Sequence, residues 1–87
     1  DAASRALKSY SDIFWIAGGK PKEGGIESLR PLMARVKGVY LIGEAARDFE
    51  AQLAGTAPCL QCGDLASAVR RAAQDAAASG LANPVVL

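Results

Sequence analysis

The chain predicts an open α/β domain, a mostly parallel sheet with helices on both faces, and three observations carry that expectation. Two short β-rich runs, residues 13–17 (Ile-Phe-Trp-Ile-Ala) and 39–42 (Val-Tyr-Leu-Ile), are apolar at every position and bounded by glycine. Strands apolar on both faces belong to a sheet covered on both sides, which is the habit of parallel sheets. Helical patterns stand before, between and after these runs. Each connection is a dozen or more residues long, enough for a right-handed crossover that brings the chain back parallel to its previous strand.

Bulk properties set the frame. The 87 residues make at most one small domain, of a size at which folding buries only about 60 % of the unfolded chain's surface. Hydrophobic residues make up 51 %, charged ones 22 %, and the net charge is +1, which is globular composition and argues against disorder. Ten basic residues are balanced by nine acidic ones, with one Trp, two Tyr and two Phe, so a nucleic-acid partner is not expected. No apolar run approaches the roughly 20 residues of a membrane helix, and no basic-then-apolar leader opens the chain. Membrane insertion is therefore not expected, and a cytoplasmic location is. The chain starts without Met inside a helical pattern and stops on an apolar, strand-like triplet. Ends are normally solvated, so the expectation is a single domain over 1–87 that is a fragment of a longer polypeptide.

Taken in order, the first helical pattern carries Ala3, Ala6, Leu7 and Tyr10 at three- and four-residue spacing. The strand at 13–17 comes next and ends at Gly18. A second helix is expected from Ile26 through Leu29, Leu32, Met33 and Val36, closed by Gly38, before the strand at 39–42. After Gly43, the residues Ala45, Ala46, Phe49 and Leu53 share one helical face; Gly55 and Pro58 break it, and 59–61 is a short strand candidate. A last helix starts at an Asp64 N-cap, runs through Leu65, Val69, Ala72, Ala73 and Ala76, and stops at a Gly80 C-cap. Its alanines suit close packing on a sheet. Asn83-Pro84 then turns the chain into the strand at 85–87.

Ligands of open α/β sheets bind at the carboxyl ends of strands. Gly18-Gly19-Lys20-Pro21-Lys22 follows the first strand and Gly43-Glu44 the second, which puts both turns on that edge. Paired glycines allow left-handed backbone and close approach of a ligand, and Lys20 and Lys22 are mobile cations for a carboxylate or phosphate. The bland alternative is a solvated loop whose lysines keep it soluble. The turn is no nucleotide P-loop, since Lys20 precedes Pro21 and Lys22 precedes Glu23, and it lacks the GxGxxG spacing. Cys59 and Cys62 have redox or half-zinc spacing, but there is no second pair and no histidine, so no four-ligand metal site is expected within the chain, and with Cys59 on or beside a strand and Asp64 the better cap, no helix-opening thiol is expected either. Both read as small buried hydrophobes. Trp15 reads as core, and Arg47, Asp48, Glu50, Arg70 and Arg71 as solvated helix faces. With no His and no nucleophile beside a base, no catalytic residue is expected within the chain.

The stretches "IFWIAGGKPKEGGIESLRPL", "VYLIGEAARDF" and "ASGLANPVVL" resemble the C-terminal domain of the Mur ligases, and within that family the members that add D-glutamate. The resemblance covers essentially the whole chain, and its most specific piece is the Gly-Gly-x-x-Lys turn after an apolar strand. It implies a Rossmann-like domain, the amino-acid-binding third of a three-domain, ATP-dependent ligase. The other two domains would hold the uridine nucleotide, and ATP with magnesium, so both cofactors are bound mainly outside this chain. The substrates implied are D-glutamate and UDP-N-acetylmuramoyl-L-alanine, joined through an acyl phosphate in peptidoglycan synthesis. The last lysine of the turn falls on Lys22, which in the family holds the side-chain carboxylate of D-glutamate. Gly18 and Gly19 would shape the loop, and Lys20 would add general electrostatic attraction. Two family segments that contact substrate, Asp-Ser-Lys-Ala-Thr-Asn and Ser-Pro-Ala-Cys-Ala-Ser, are expected before Asp1 and after Leu87. The 87 residues alone are therefore expected neither to ligate nor to bind D-glutamate usefully.

Two other readings share part of this pattern. Another Mur ligase or a folylpolyglutamate synthetase would have the same fold and chemistry with a different amino acid. A non-catalytic α/β binding module of the receiver type needs an aspartate closing a central strand, whereas these strands close on Gly18 and Gly43.

Overall fold

The computed structural model describes residues 2–19 and 27–87. Four strands, β1 (Ile13–Gly18), β2 (Val36–Ile42), β3 (Cys59–Gly63) and β4 (Val85–Val86), form one sheet in the order β3-β2-β1-β4, with every pair parallel. Alternation along the two central strands separates two cores. Ile13, Trp15, Ala17, Val39 and Leu41 face α1 (Ala2–Ser9), a 3-10 helix (Glu27–Arg35) and α2 (Ala46–Gln52), where Leu7, Leu29, Met33, Phe49 and Leu53 close the layer. Phe14 and Tyr40 face the opposite way, against Ala68, Ala72 and Ala76 of α3 (Leu65–Ala78). The sheet is thus covered on both sides, as an α/β fold of Rossmann-like type requires, and each large buried side chain contributes about 1.5–3 kcal/mol.

Several local expectations hold for physical reasons that can be named. Trp15 is buried core at 8 % exposure. Asp64 caps α3, its carboxylate accepting the Ser67 amide at 2.7 Å, and this hydrogen bond holds its pKa below the usual carboxylate value. Gly80, with φ of +75°, takes the left-handed position just past the Ser79 C-cap. Within α3, Ala68, Ala72 and Ala76 pack on the sheet while Leu65 and Val69 stay exposed. The short side chains let the helix sit close.

The second helix departs from expectation. Ile26 lies outside the described residues, and the segment Glu27–Arg35 is a 3-10 helix with Pro31 inside it. Proline has no amide to donate to an α-helical ladder and its ring crowds the preceding turn. Val36 is the first residue of β2 rather than the end of a helix, and Gly38 lies inside that strand rather than closing one. Lys37 is the extra residue of a bulge, because Ile13 pairs with Val36 and Phe14 with Gly38. Gly38 is demanded by Tyr40, since a Cβ there would sit 2.9 Å from the phenol oxygen.

Long-range side chains close the helix ends. Arg30 donates to the carbonyls of Gln52 (2.6 Å), the last residue of α2, and Ala54 (3.0 Å), just past it, and Arg35 donates to Lys8 O (2.6 Å) at the end of α1.

Tyr40 ties the sheet to α3. Its hydroxyl donates to Asp75 at 2.7 Å, and Arg71, one turn earlier, donates to the same carboxylate at 3.2 Å. Arg71 is therefore paired rather than merely solvated. Burial, and then the Asp75 carboxylate, push the Tyr40 phenol well above its ordinary value, while Tyr40 and Arg71 hold Asp75 below its own. Tyr40→Phe is expected to cost about 1 kcal/mol, less than a fully buried charged hydrogen bond because Asp75 is open to solvent. Both shifts fix the sign of the pH dependence. The Asp75 contribution is complete above its ordinary value of 3.8 and is lost as the pH falls further; the Tyr40 contribution is complete below 10.0 and is lost as the pH rises beyond it. Urea midpoints of the two proteins should therefore differ most between these limits and converge outside them.

Candidate functional site

The order of the strands locates the site. Chain progression lays β2 and β3 on one side of β1, then crosses to place β4 on the other. With crossovers of one hand, the reversal sends α3 to the face opposite α2, which is where the two cores place them. The crevice outside the carboxyl ends of the strands at such a reversal is where open α/β sheets take ligands. Gly18, the last residue of β1, and Gly19, the first beyond it, occupy that point.

Three glycine turns meet along this edge. Gly19 (φ +111°), Gly43 (φ +77°) and Gly63 (φ +84°) end or follow β1, β2 and β3 in left-handed backbone that side chains rarely adopt. Hydrogen bonds stitch neighbouring turns together: Gly19 N donates to Ile42 O (3.4 Å), Ala45 N to Gly19 O (2.9 Å) and Gly43 N to Gly63 O (3.4 Å). Contact is close as well. A Cβ on Gly18 would collide with the carbonyl oxygen of Ile42 and lie 2.6 Å from its Cγ1; one on Gly43 would lie 2.9 Å from Gly19 N. Glu44, between Gly43 and Ala45, is exposed.

Of the residues expected to form the site, Gly18 and Gly19 are therefore placed at the reversal point, and Lys20 and Lys22 lie outside the described residues. Residue types alone did not reveal that the Gly43 turn backs directly onto Gly19. The signal available was the shared position of both turns, each immediately after an apolar strand.

The two cysteines, expected to be buried hydrophobes, are half-buried. Both lie in β3, Cys59 against one core and Cys62 against the other, as free thiols. Burial, with Glu50 nearby, pushes the Cys59 thiol up, which disfavours the reactive thiolate. A surface hollow along the outer edge of β3 is bounded by Arg47, Glu50, Cys59 and Gln61. Gln61 uses its amide group locally, Nε2 donating to Glu50 Oε1 (2.7 Å) and Ala46 O (3.1 Å). This hollow lies between α2 and the edge strand β3, apart from the strand reversal. Among the described residues no three His, Cys, Asp or Glu side chains could together hold a metal ion, and no helix is long and apolar enough to cross a membrane.

No protein-family model matches the chain. Individual proteins do. Over all 87 residues it is 60 % identical to the UDP-N-acetylmuramoylalanine–D-glutamate ligase of Rhodopseudomonas palustris and 49 % identical to that of Rhodospirillum rubrum; over 80 residues, 92 % of the chain, it is 56 % identical to that of a Caulobacter species. The chain spans only 17–19 % of the length of these relatives. The resemblance to the Mur ligases carried by the Gly-Gly-x-x-Lys turn and its flanking strands thus extends through the whole sequence, which matches a stretch of the UDP-N-acetylmuramoylalanine–D-glutamate ligases.

Proposed function

We propose that these 87 residues belong to the C-terminal, amino-acid-binding domain of a cytoplasmic, ATP-dependent ligase that joins D-glutamate to UDP-N-acetylmuramoyl-L-alanine in peptidoglycan synthesis. The observation that carries this reading is the 60 % identity to such a ligase along the entire chain. The placement of the Gly18-Gly19 turn at the strand reversal supports it. In the reaction, the muramoyl-alanine carboxylate takes the terminal phosphoryl group of ATP, and the amine of D-glutamate then attacks the acyl phosphate to give an amide and free phosphate. The part of this chain is to present the amino acid. Lys22 provides a counter-charge for its side-chain carboxylate, Lys20 adds to the local positive potential, and Gly18 and Gly19 bring the backbone close. ATP and magnesium are bound mainly by the rest of the polypeptide.

The test is phosphate release by the complete polypeptide given ATP, magnesium and UDP-N-acetylmuramoyl-L-alanine, with D-glutamate compared against L-glutamate and L-lysine. Release that requires D-glutamate is the expected result. Release with another amino acid instead would move the chain to a different ligase of the same chemistry.

A further inference from the structure

The Gly43 turn touches the turn proposed to present the amino acid. Gly43 has φ of +77°, and a Cβ there would lie 2.9 Å from Gly19 N, 3.2 Å from Gly19 O and 3.3 Å from Gly19 Cα. All three atoms are backbone, so nothing flexible can swing aside. Two residues on, the Ala45 amide donates to Gly19 O at 2.9 Å. Ala45 is the N-cap of α2 and offers no side-chain cap, so the first turn of α2 is joined to Gly19 through the backbone. Ala45 is fully buried, which makes the turn a fixed backing rather than a loose neighbour.

We infer that Gly43 is a positioning residue for the amino-acid subsite: the β2–α2 turn, through Gly43 and the Ala45 amide, sets where the Gly18-Gly19 turn lies. This rests on the proposed role of Lys22. Any side chain at position 43 displaces Gly19, and small displacements of a positioning element are costly to a site that must hold its ligand in one geometry.

The control is built into the fold. Gly55 has φ of +82°, close to the +77° of Gly43, with nothing within 4 Å of its Cβ position. Gly43→Ala and Gly55→Ala therefore carry similar backbone strain and differ in the contact with Gly19. In the complete polypeptide, Gly43→Ala is expected to raise KM for D-glutamate roughly tenfold. Its KM values for ATP and for the nucleotide substrate should stay within about twofold. Gly55→Ala should lower thermal stability and leave all three KM values alone. If Gly43→Ala does not fold, Gly43→Asn carries the same Cβ on a residue that tolerates left-handed backbone, and the same KM pattern is expected. Equal behaviour of the position 43 and position 55 variants would overturn the inference. Failure of the underlying reading looks different: Lys22→Ala would then leave KM for D-glutamate unchanged, whatever position 43 does.

Discussion

Lys22→Ala in the complete polypeptide is expected to lower kcat/KM for D-glutamate roughly 10- to 150-fold, the loss caused by removing one charge-assisted hydrogen bond of about 1.5–3 kcal/mol. The effect should appear in KM more than in kcat, because a side-chain carboxylate far from the reacting amine is bound similarly before and during the attack. KM for ATP should not move. Lys22→Arg should recover only part of the loss, since a planar guanidinium does not occupy the place of a compact ammonium. Initial rates against D-glutamate concentration, at saturating ATP and nucleotide, measure all of this. An unchanged KM in Lys22→Ala would return the glycine-rich turn to the role of a solvated loop.

Gly18→Ala is expected to be the most destabilising single-methyl addition on the carboxyl edge, at about 3 kcal/mol. Gly18 pairs directly with Ile42 in the β1–β2 ladder, and an added Cβ would overlap the Ile42 carbonyl oxygen, which also accepts the Gly19 amide. Relief requires β1 and β2 to part at the point where their ladder ends. Gly55→Ala, which adds left-handed backbone strain (φ +82°) that Gly18→Ala does not but meets open space, should cost about 1 kcal/mol. Urea denaturation at unchanged m-value separates the two. A Gly18→Ala protein as stable as wild type would mean that the close approach of the two strands is not maintained in solution.

What the sequence revealed and what it hid divide along physical lines. β1 and β2 were legible because strands buried on both faces must be apolar at nearly every position, and residues 13–17 and 39–42 are. The start of α3 was legible because its cap is local: Asp64 and Ser67 are three residues apart. The apolar spacing over residues 26–36 predicts an α-helix ending at Val36, whereas the segment with Pro31 in its middle is a 3-10 helix. Gly38 reads as a helix terminator, whereas it lies inside β2 against the ring of Tyr40, two residues along the strand. Arg30 and Arg35 close helix ends 22 and 27 residues away, and no local pattern announces such partners. The site shows the same split. The turn after β1 stands out as a glycine pair with two lysines, whereas its backing by Gly43 exists only once β1 and β2 lie side by side.

The central claim is that the turn after β1 recognises the side-chain carboxylate of the amino acid, and the neutral isostere D-glutamine tests it most directly. Phosphate release should be measured with D-glutamate and with D-glutamine, for the wild-type polypeptide and for Lys22→Ala. If Lys22 pairs with that carboxylate, the wild type prefers D-glutamate strongly and the variant loses most of the preference, because the charge has nothing left to meet. Discrimination between the two amino acids that survives intact in Lys22→Ala would contradict the assignment and place recognition of the carboxylate elsewhere in the enzyme.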